Sequence, residues 1–538
     1  MKNIYLFLFL AIFNNSKAQV MSIKQVAGTD GTALLQENFS KKDINTVIVS
    51  STITINGLLK IPKEKTLKIE PGCLIKGKGT ISGGIIDAGY QQCIFDTTLT
   101  VNPSGVNQYF SAKWFGAKGN NTDDYAAIQK SINTCISNNI KTLYLPSGNY
   151  KISQPLILRG KGAANNSAFC TLEIVGESSF WDSNTGSEIR PTFTNSFAIG
   201  IQRGKGCKIR KLSITGKFVP PNKSDLKKFF NTSFEDFTDG ICRDNRYSPY
   251  AAIVIDPFTN IPNSAADTAT FYPGLNAYYG SNGSSKQSGS TGTEIEEMSI
   301  NNFVVGICSS PNGDTRNAEI TIINKIQFSN CKLCISGGQD QEKDNSISNI
   351  YCWGGTHTIF ATGLYGNNRM AGNWNIDKVN IAGGVVRFIY NDQHGYFASY
   401  VSHVYAEMLA TWGTINSQLA CEISDCNIDY AYQSVAGKQL LLTSWGKNVV
   451  YRSCNFRYYG KKDALWIEGD CTFDHCFFSG PIKNKKEGML NIFSFPNKFN
   501  NFSFYKLLGL VLLIAVAIAF YLYKRKSQVK TFDTMAII

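Results

Sequence analysis

Between residues 209 and 478 the sequence repeats one short phrase: apolar, two residues, apolar, one residue, apolar. It runs Ile209/Leu212/Ile214, Ile295/Met298/Ile300, Ile323/Ile326/Phe328, Ile347/Ile350/Cys352, Ile376/Val379/Ile381, Val401/Val404/Ala406, Ile423/Cys426/Ile428, Tyr451/Cys454/Phe456 and Phe473/Cys476/Phe478. From Ile295 onward the copies start 28, 24, 29, 25, 22, 28 and 22 residues apart. Each closing pair at i, i+2 is strand-like, and the i, i+3 step never continues into a further helical turn. Gly or Asn often follows. One such strand cannot bury its apolar face alone. Stacked on the next copy about 4.8 Å away, it builds a continuous core. Variable steps then mean variable loops on a constant strand, which describes an all-β, right-handed parallel β-helix. The competing β-sandwich would space its strands about 8–12 residues apart and need no triplet.

Composition supports the β reading. Gly, Tyr and Phe are abundant (47, 25 and 34), while Pro and Met are scarce (15 and 7). Charged residues are 17% and hydrophobic ones 43%, which excludes a disordered chain. Only four histidines are present, which argues against a multi-His metal centre. The net charge of +13 points to an anionic partner.

The two ends suggest export and anchoring. Residues 1–18 have one lysine, an apolar run from Ile4 to Phe13 and a small residue at Ala18. This is the layout of a secretory signal cleaved before Gln19. Residues 505–523 are expected to cross a membrane, because Leu507–Tyr523 carries no charge. Lys524, Arg525, Lys526 and Lys530 follow, placing a tail of residues 524–538 in the cytosol. The expectation is a single-pass protein with its bulk outside the cytoplasm. Residues 19–110 read as a β-rich segment able to supply early rungs, and 111–495 as the β-helix proper. An aromatic-rich insertion interrupts it at about 217–292.

Fifteen cysteines leave at least one without an intramolecular partner. Cys426, Cys454 and Cys476 share one phase, continuing Val379 and Val404. They read as an interior column of free thiols. The CxxC at Cys331–Cys334 lacks a helix start or a second CxxC, so a redox or zinc role is weakly supported.

Residues 114–153 carry the most specific signal: WFGAKGNNTDDYAAIQKSINTCISNNIKTLYLPSGNYKIS. Thr122 or Asp123 is expected to cap a helix striped by Ala127, Ile128, Ile132, Cys135 and Ile136, ending at Asn138-Asn139. A strand, Thr142–Leu145, and a turn at Pro146–Asn149 follow. Phe115–Gly119, Thr122–Gln129 and Leu143–Tyr150 resemble the entry signature of the pectate-lyase superfamily, in its rhamnogalacturonase and epimerase-like lyase branch. The resemblance implies that the helix caps the N-terminal end of a right-handed parallel β-helix. It implies action on polysaccharides, often uronate-containing, as lyase or hydrolase. It reaches phage tailspike depolymerases, among which trimers are common, so a homo-oligomer is a candidate state. The polygalacturonase-type catalytic elements are absent, so no catalytic residue is carried over by motif.

The charge pattern agrees with an acidic polysaccharide. Residues 141–230 hold 14 Lys/Arg against 5 Asp/Glu. A nucleic-acid partner has no support from fold or motif. A hydrolase needs carboxylates flanking the sugar bond. A lyase needs a base, plus a cation or Arg at the uronate carboxylate, and calcium is the candidate cation. Counting from each triplet start selects Asp340 and Glu342, with Asp392, His394 and Arg387, as catalytic candidates. His357, Arg387 and Trp412 lie at +10, +11 and +11 on three successive coils, so His357 and Trp412 are substrate-binding candidates. Asp239, Arg243, Asp244 and Arg246 in the aromatic insertion form a second group. The reading is a membrane-anchored β-helix that binds and cleaves an acidic polysaccharide. The alternative is a non-catalytic, glycan-binding or adhesin-like solenoid.

Overall fold

The computed structural model describes residues 19–493. Within that range it leaves out 24–29, 105–106, 160–168, 180–185, 203, 221–249, 258–289, 310–318, 338–343, 363–373, 384, 392–398, 410, 416–420, 431–439, 444–448, 459–464, 469–470 and 485–489. The expected signal, membrane span and cytoplasmic tail lie outside the described residues. Among the described residues no helix is long and apolar enough to cross a membrane.

Nearly every strand pairs in parallel with a strand one coil away. The strands gather into a long sheet of 20 and a shorter one of 11. In most coils the chain makes two arms of the long sheet, then one strand of the short sheet, then returns. This is a parallel β-helix.

The triplets form the walls of its core. Ile209, Ile295, Ile323, Ile347, Ile376, Val401, Ile423, Tyr451 and Phe473 stand in unbroken register. Leu143 and Phe110 extend that column towards the N-terminus through Ile174. The closing residues from Ile214 to Phe478 form a parallel column. Burying each Ile contributes about 1.5–3 kcal/mol.

A left-handed residue explains the odd spacing. Lys211, Glu297, Lys325, Asn349, Lys378, His403, Asp425, Ser453 and His475 all have φ between 51° and 57°. Each is the third residue of its triplet segment. In a straight strand, residues three apart face opposite ways. The left-handed turn resets the alternation, so both apolar residues enter the core. A second left-handed position follows at Asn302, Asn330, Gly354 and Gly383, where the chain turns toward the short sheet. These are the Asn and Gly that trail the triplets.

A smaller parallel sheet pairs Gln19–Ile23, Ile44–Val49, Leu58–Ile69, Thr80–Asp87 and Thr100–Asn102 in turn. Helix α1 (Gly31–Ser40) is capped by Asp30 and packs on its second and third strands. Helix α2 (Tyr125–Ser137) packs against the first coil of the main solenoid. Its Lys130 Nζ reaches back to the Leu99 carbonyl (2.7 Å).

Helix α2 begins later than the sequence suggests. Thr122 and Asp123 belong to the strand Asn120–Asp123, and Asp124 is the N-cap. The Asp124 carboxylate accepts from the backbone N–H groups of Lys118 (2.7 Å) and Gly119 (2.9 Å). Asp123 does accept from the first helical N–H, that of Tyr125 (3.2 Å), and also ties to Ser153 through that residue's backbone N–H and hydroxyl. Tyr150 is wholly buried and donates to the Pro146 carbonyl (2.6 Å). The motif residues therefore join the helix to the first coil.

All described cysteines are free thiols, and all but Cys93 are buried. Cys426, Cys454 and Cys476 line the core as expected, and Cys454 and Cys476 donate to the carbonyls of Ile423 and Tyr451 one coil earlier. In the CxxC, burial pushes the Cys331 thiol up to about 12, which suppresses thiolate chemistry.

Candidate functional site

The short sheet carries the described candidates. His357 lies on the strand Thr356–Thr362, Arg387 on Val385–Asn391 and Trp412 on Thr411–Ile415. These strands are neighbours. The three residues are not in one row, however. Arg387 pairs with Thr358 on one side and Thr411 on the other.

Trp412 corrects the sequence reading. It is fully buried, with its ring 4.6 Å from that of Phe388 and 6.4 Å from that of Tyr451. It is a core residue and offers no face to a sugar. The cause is one residue of register: Thr411 at +10 aligns with Arg387 at +11. A one-residue slip moves a strand side chain to the opposite face.

His357 is also buried, at 1% exposure, with Nδ1 2.9 Å from the Thr358 hydroxyl. Burial drives its pKa well below the ordinary value, and the nearby Arg387 and Lys332 push it further. The imidazole is neutral at pH 7. Arg387 is only partly buried. Two basic side chains, Arg387 and Lys332, therefore lie near this uncharged ring, and the Nε and Nη1 atoms of Arg387 are buried.

Asp340, Glu342, Asp392 and His394 lie outside the described residues, as do Asp239, Arg243, Asp244 and Arg246. Among the described residues no group of three or more His, Cys, Asp or Glu could hold a metal ion.

The basic run around residues 203–211 is less bare than its sequence implies. Arg210 pairs with Glu173 and Lys208 with Glu294, each across one rung of the long sheet. Arg190 likewise pairs with Glu188. The Arg210–Glu173 and Lys208–Glu294 pairs, with Lys141, line a polar hollow of about 360 Å³.

One exposed cluster escaped the sequence reading. Asp377 accepts from the Ser402 hydroxyl (2.8 Å) and lies 2.7 Å from His403 Nδ1. Burial raises its carboxyl, but these two hydrogen bonds outweigh that and hold it below its ordinary value. The signal was present in the repeat: Asp377 is at +1 and His403 at +2 of successive triplets.

Residues 109–207 match the model of the family described as rhamnogalacturonase A/epimerase, pectate lyase-like. The match lies at the N-terminal end of the parallel β-helix described above. No curated protein matches the sequence. Among solved structures, the chain is similar to the A-module of mannuronan C-5 epimerase AlgE6 from Azotobacter vinelandii. That pair shares 12% identity with a TM-score of 0.40, over 72% of this chain and 97% of that one. A DFA-IIIase from Arthrobacter chlorophenolicus A6 has 10% identity and a TM-score of 0.40, over 71% and 86%. A GH87 α-1,3-glucanase catalytic domain has 11% identity and a TM-score of 0.38, over 69% and 67%. At this level the likenesses carry no information about substrate.

Proposed function

We propose that this chain is an exported, membrane-anchored β-helix protein that binds and cleaves an acidic polysaccharide, as a lyase or glycoside hydrolase. The observation that carries the reading is the Arg387–His357–Lys332 cluster on the short sheet, within a chain whose entry segment matches a polysaccharide-acting family by name. Arg387 and Lys332 hold the uronate carboxylate. A fixed cation there lowers the cost of charge building beside the carboxylate as the sugar bond breaks. The buried, neutral His357 lies near the pair without adding a third charge. Asp340, Glu342, Asp392 and His394 supply acid and base.

A lyase in this arrangement removes the proton next to the carboxylate and expels the glycosidic oxygen, leaving an unsaturated uronate. A hydrolase adds water across the bond and leaves no double bond. Arg387→Ala tests the cluster: turnover of an acidic polysaccharide should be lost while circular dichroism stays native. Unchanged turnover would remove Arg387 from the site.

A further inference from the structure

A second surface lies on a different sheet from Arg387. On the second arm of the long sheet, Gln327, Tyr351, Asn380, Tyr405 and Asn427 stand in register on five successive coils. Each sits one residue beyond the second apolar position of its triplet, and none is buried. Amides and phenols alternate along the row, and none of the five carries a charge. Tyr405 is 43% exposed. Trp353, two residues after Tyr351 on the same strand, is 38% exposed and widens the aromatic surface.

The row opens into a cavity. A groove of about 570 Å³ is lined by Gln327, Tyr351, Asn349, Lys325, Lys211 and Ser178, among others. Its charges are balanced locally: Lys325 pairs with Glu297 at 3.1 Å, and Glu297 also lines the groove.

Three features of this surface match one ligand chemistry. Amide and phenol groups both donate and accept, as a hydroxyl-rich ligand requires. Exposed rings offer flat apolar platforms with a polar edge, which suit the face of a pyranose. The rungs advance about 4.8 Å each, close to the advance of one sugar in an extended 1,4-linked chain. The five residues of the row are uncharged, and Tyr405 donates to the neighbouring Glu407 carboxylate (3.2 Å).

We propose that this row and its groove form a second glycan-binding site, which takes an uncharged oligosaccharide laid along the solenoid axis, one sugar to each coil. Tyr351 and Tyr405 stack on alternate sugars, and Gln327, Asn380 and Asn427 bond the hydroxyls between them. This inference rests on the proposed function for the ligand class alone. It gives the protein a holding surface separate from the electropositive cluster.

The test is calorimetric titration of the full chain with gluco-, manno-, xylo- and galacto-configured neutral hexasaccharides, at low and high salt. At least one should bind, with an affinity that salt leaves unchanged. Tyr351→Ala and Tyr405→Ala should each weaken it about tenfold, and Asn380→Ala should weaken it less. Arg387→Ala should leave this binding intact. Failure of every hexasaccharide to bind would overturn the inference, and so would binding that survives both tyrosine substitutions. Loss of binding in Arg387→Ala, with retention in Tyr405→Ala, would also overturn it by moving the sugar to the short sheet. Turnover of acidic polysaccharides in the same variants keeps the two claims apart. Turnover with no neutral binding sinks this site only, and neutral binding with no turnover sinks the proposed activity only.

Discussion

Ile295 and Met298 face the same core, although they stand three positions apart on one strand, because Glu297 between them adopts φ 53°. The relation repeats in every triplet from Ile209 to Phe473. It converts a run with no clean strand or helix period into two arms that share one interior.

That corner stores strain that substitution can release. A left-handed L-residue costs about 1–2 kcal/mol, and Asn tolerates the conformation better than most. Ser453 is exposed at φ 51°. Ser453→Asn should raise the denaturant midpoint, while the β-branched Ser453→Val should lower stability by about 1–2 kcal/mol. Equal midpoints for the two variants would contradict the corner's role.

Trp412 should behave as a packing residue. Its ring lies between Phe388 and Tyr451 in the interior. Trp412→Ala should cost about 3–5 kcal/mol of stability. Glycan affinity below the lowered melting temperature should be unchanged. A loss of affinity without a loss of stability would restore the ligand role that its sequence phase suggested.

His357 should make stability depend on pH. Its folded pKa lies well below the unfolded value because the ring is buried and Arg387 and Lys332 stand near it. The unfolded chain therefore binds the extra proton first. The stability that His357 contributes is fully present above about pH 6.5. It is lost as pH falls from there towards the folded pKa. Urea unfolding from pH 7.5 to 5 should show this decline. His357→Gln should flatten it, and an identical slope in the variant would exclude His357 as the source.

The cysteines should separate kinetically. Cys93 is the exposed thiol among those described, with its pKa raised by desolvation and by Asp96. Native protein treated with iodoacetamide should label Cys93 first, faster as pH rises. Cys331, Cys426, Cys454 and Cys476 should label only on unfolding. Early labelling of Cys454, read by peptide mass, would contradict the closed core.

Much of the fold was legible because three apolar columns leave a periodic trace. Cys426, Cys454 and Cys476 follow Val379 and Val404 for that reason. The left-handed corners left no such trace, since Lys, Glu, His, Asn, Asp and Ser all occupy them and their side chains point to solvent. The candidate site was legible only in outline. Counting from triplet starts grouped His357, Arg387 and Trp412, which lie on neighbouring strands. It assumed equal turns, and one residue of difference sent Trp412 inward. Asp377 and His403 were missed because a contact between successive coils joins residues 26 apart in sequence. The motif at 114–153 was legible as a family signature. Its chemistry is architectural, with Asp124 closing the Lys118–Gly119 loop and Tyr150 tied to Pro146.

The most direct measurement incubates the protein with a panel of uronate-containing and neutral polysaccharides. It follows reducing ends together with ultraviolet absorbance from an unsaturated uronate. The account predicts that reducing ends rise on at least one acidic polysaccharide and that Arg387→Ala, or Asp340→Asn combined with Asp392→Asn, abolishes the rise. A parallel rise in absorbance assigns a lyase, and reducing ends alone assign a hydrolase. Silence of the wild-type chain across the acidic panel would contradict the proposed activity.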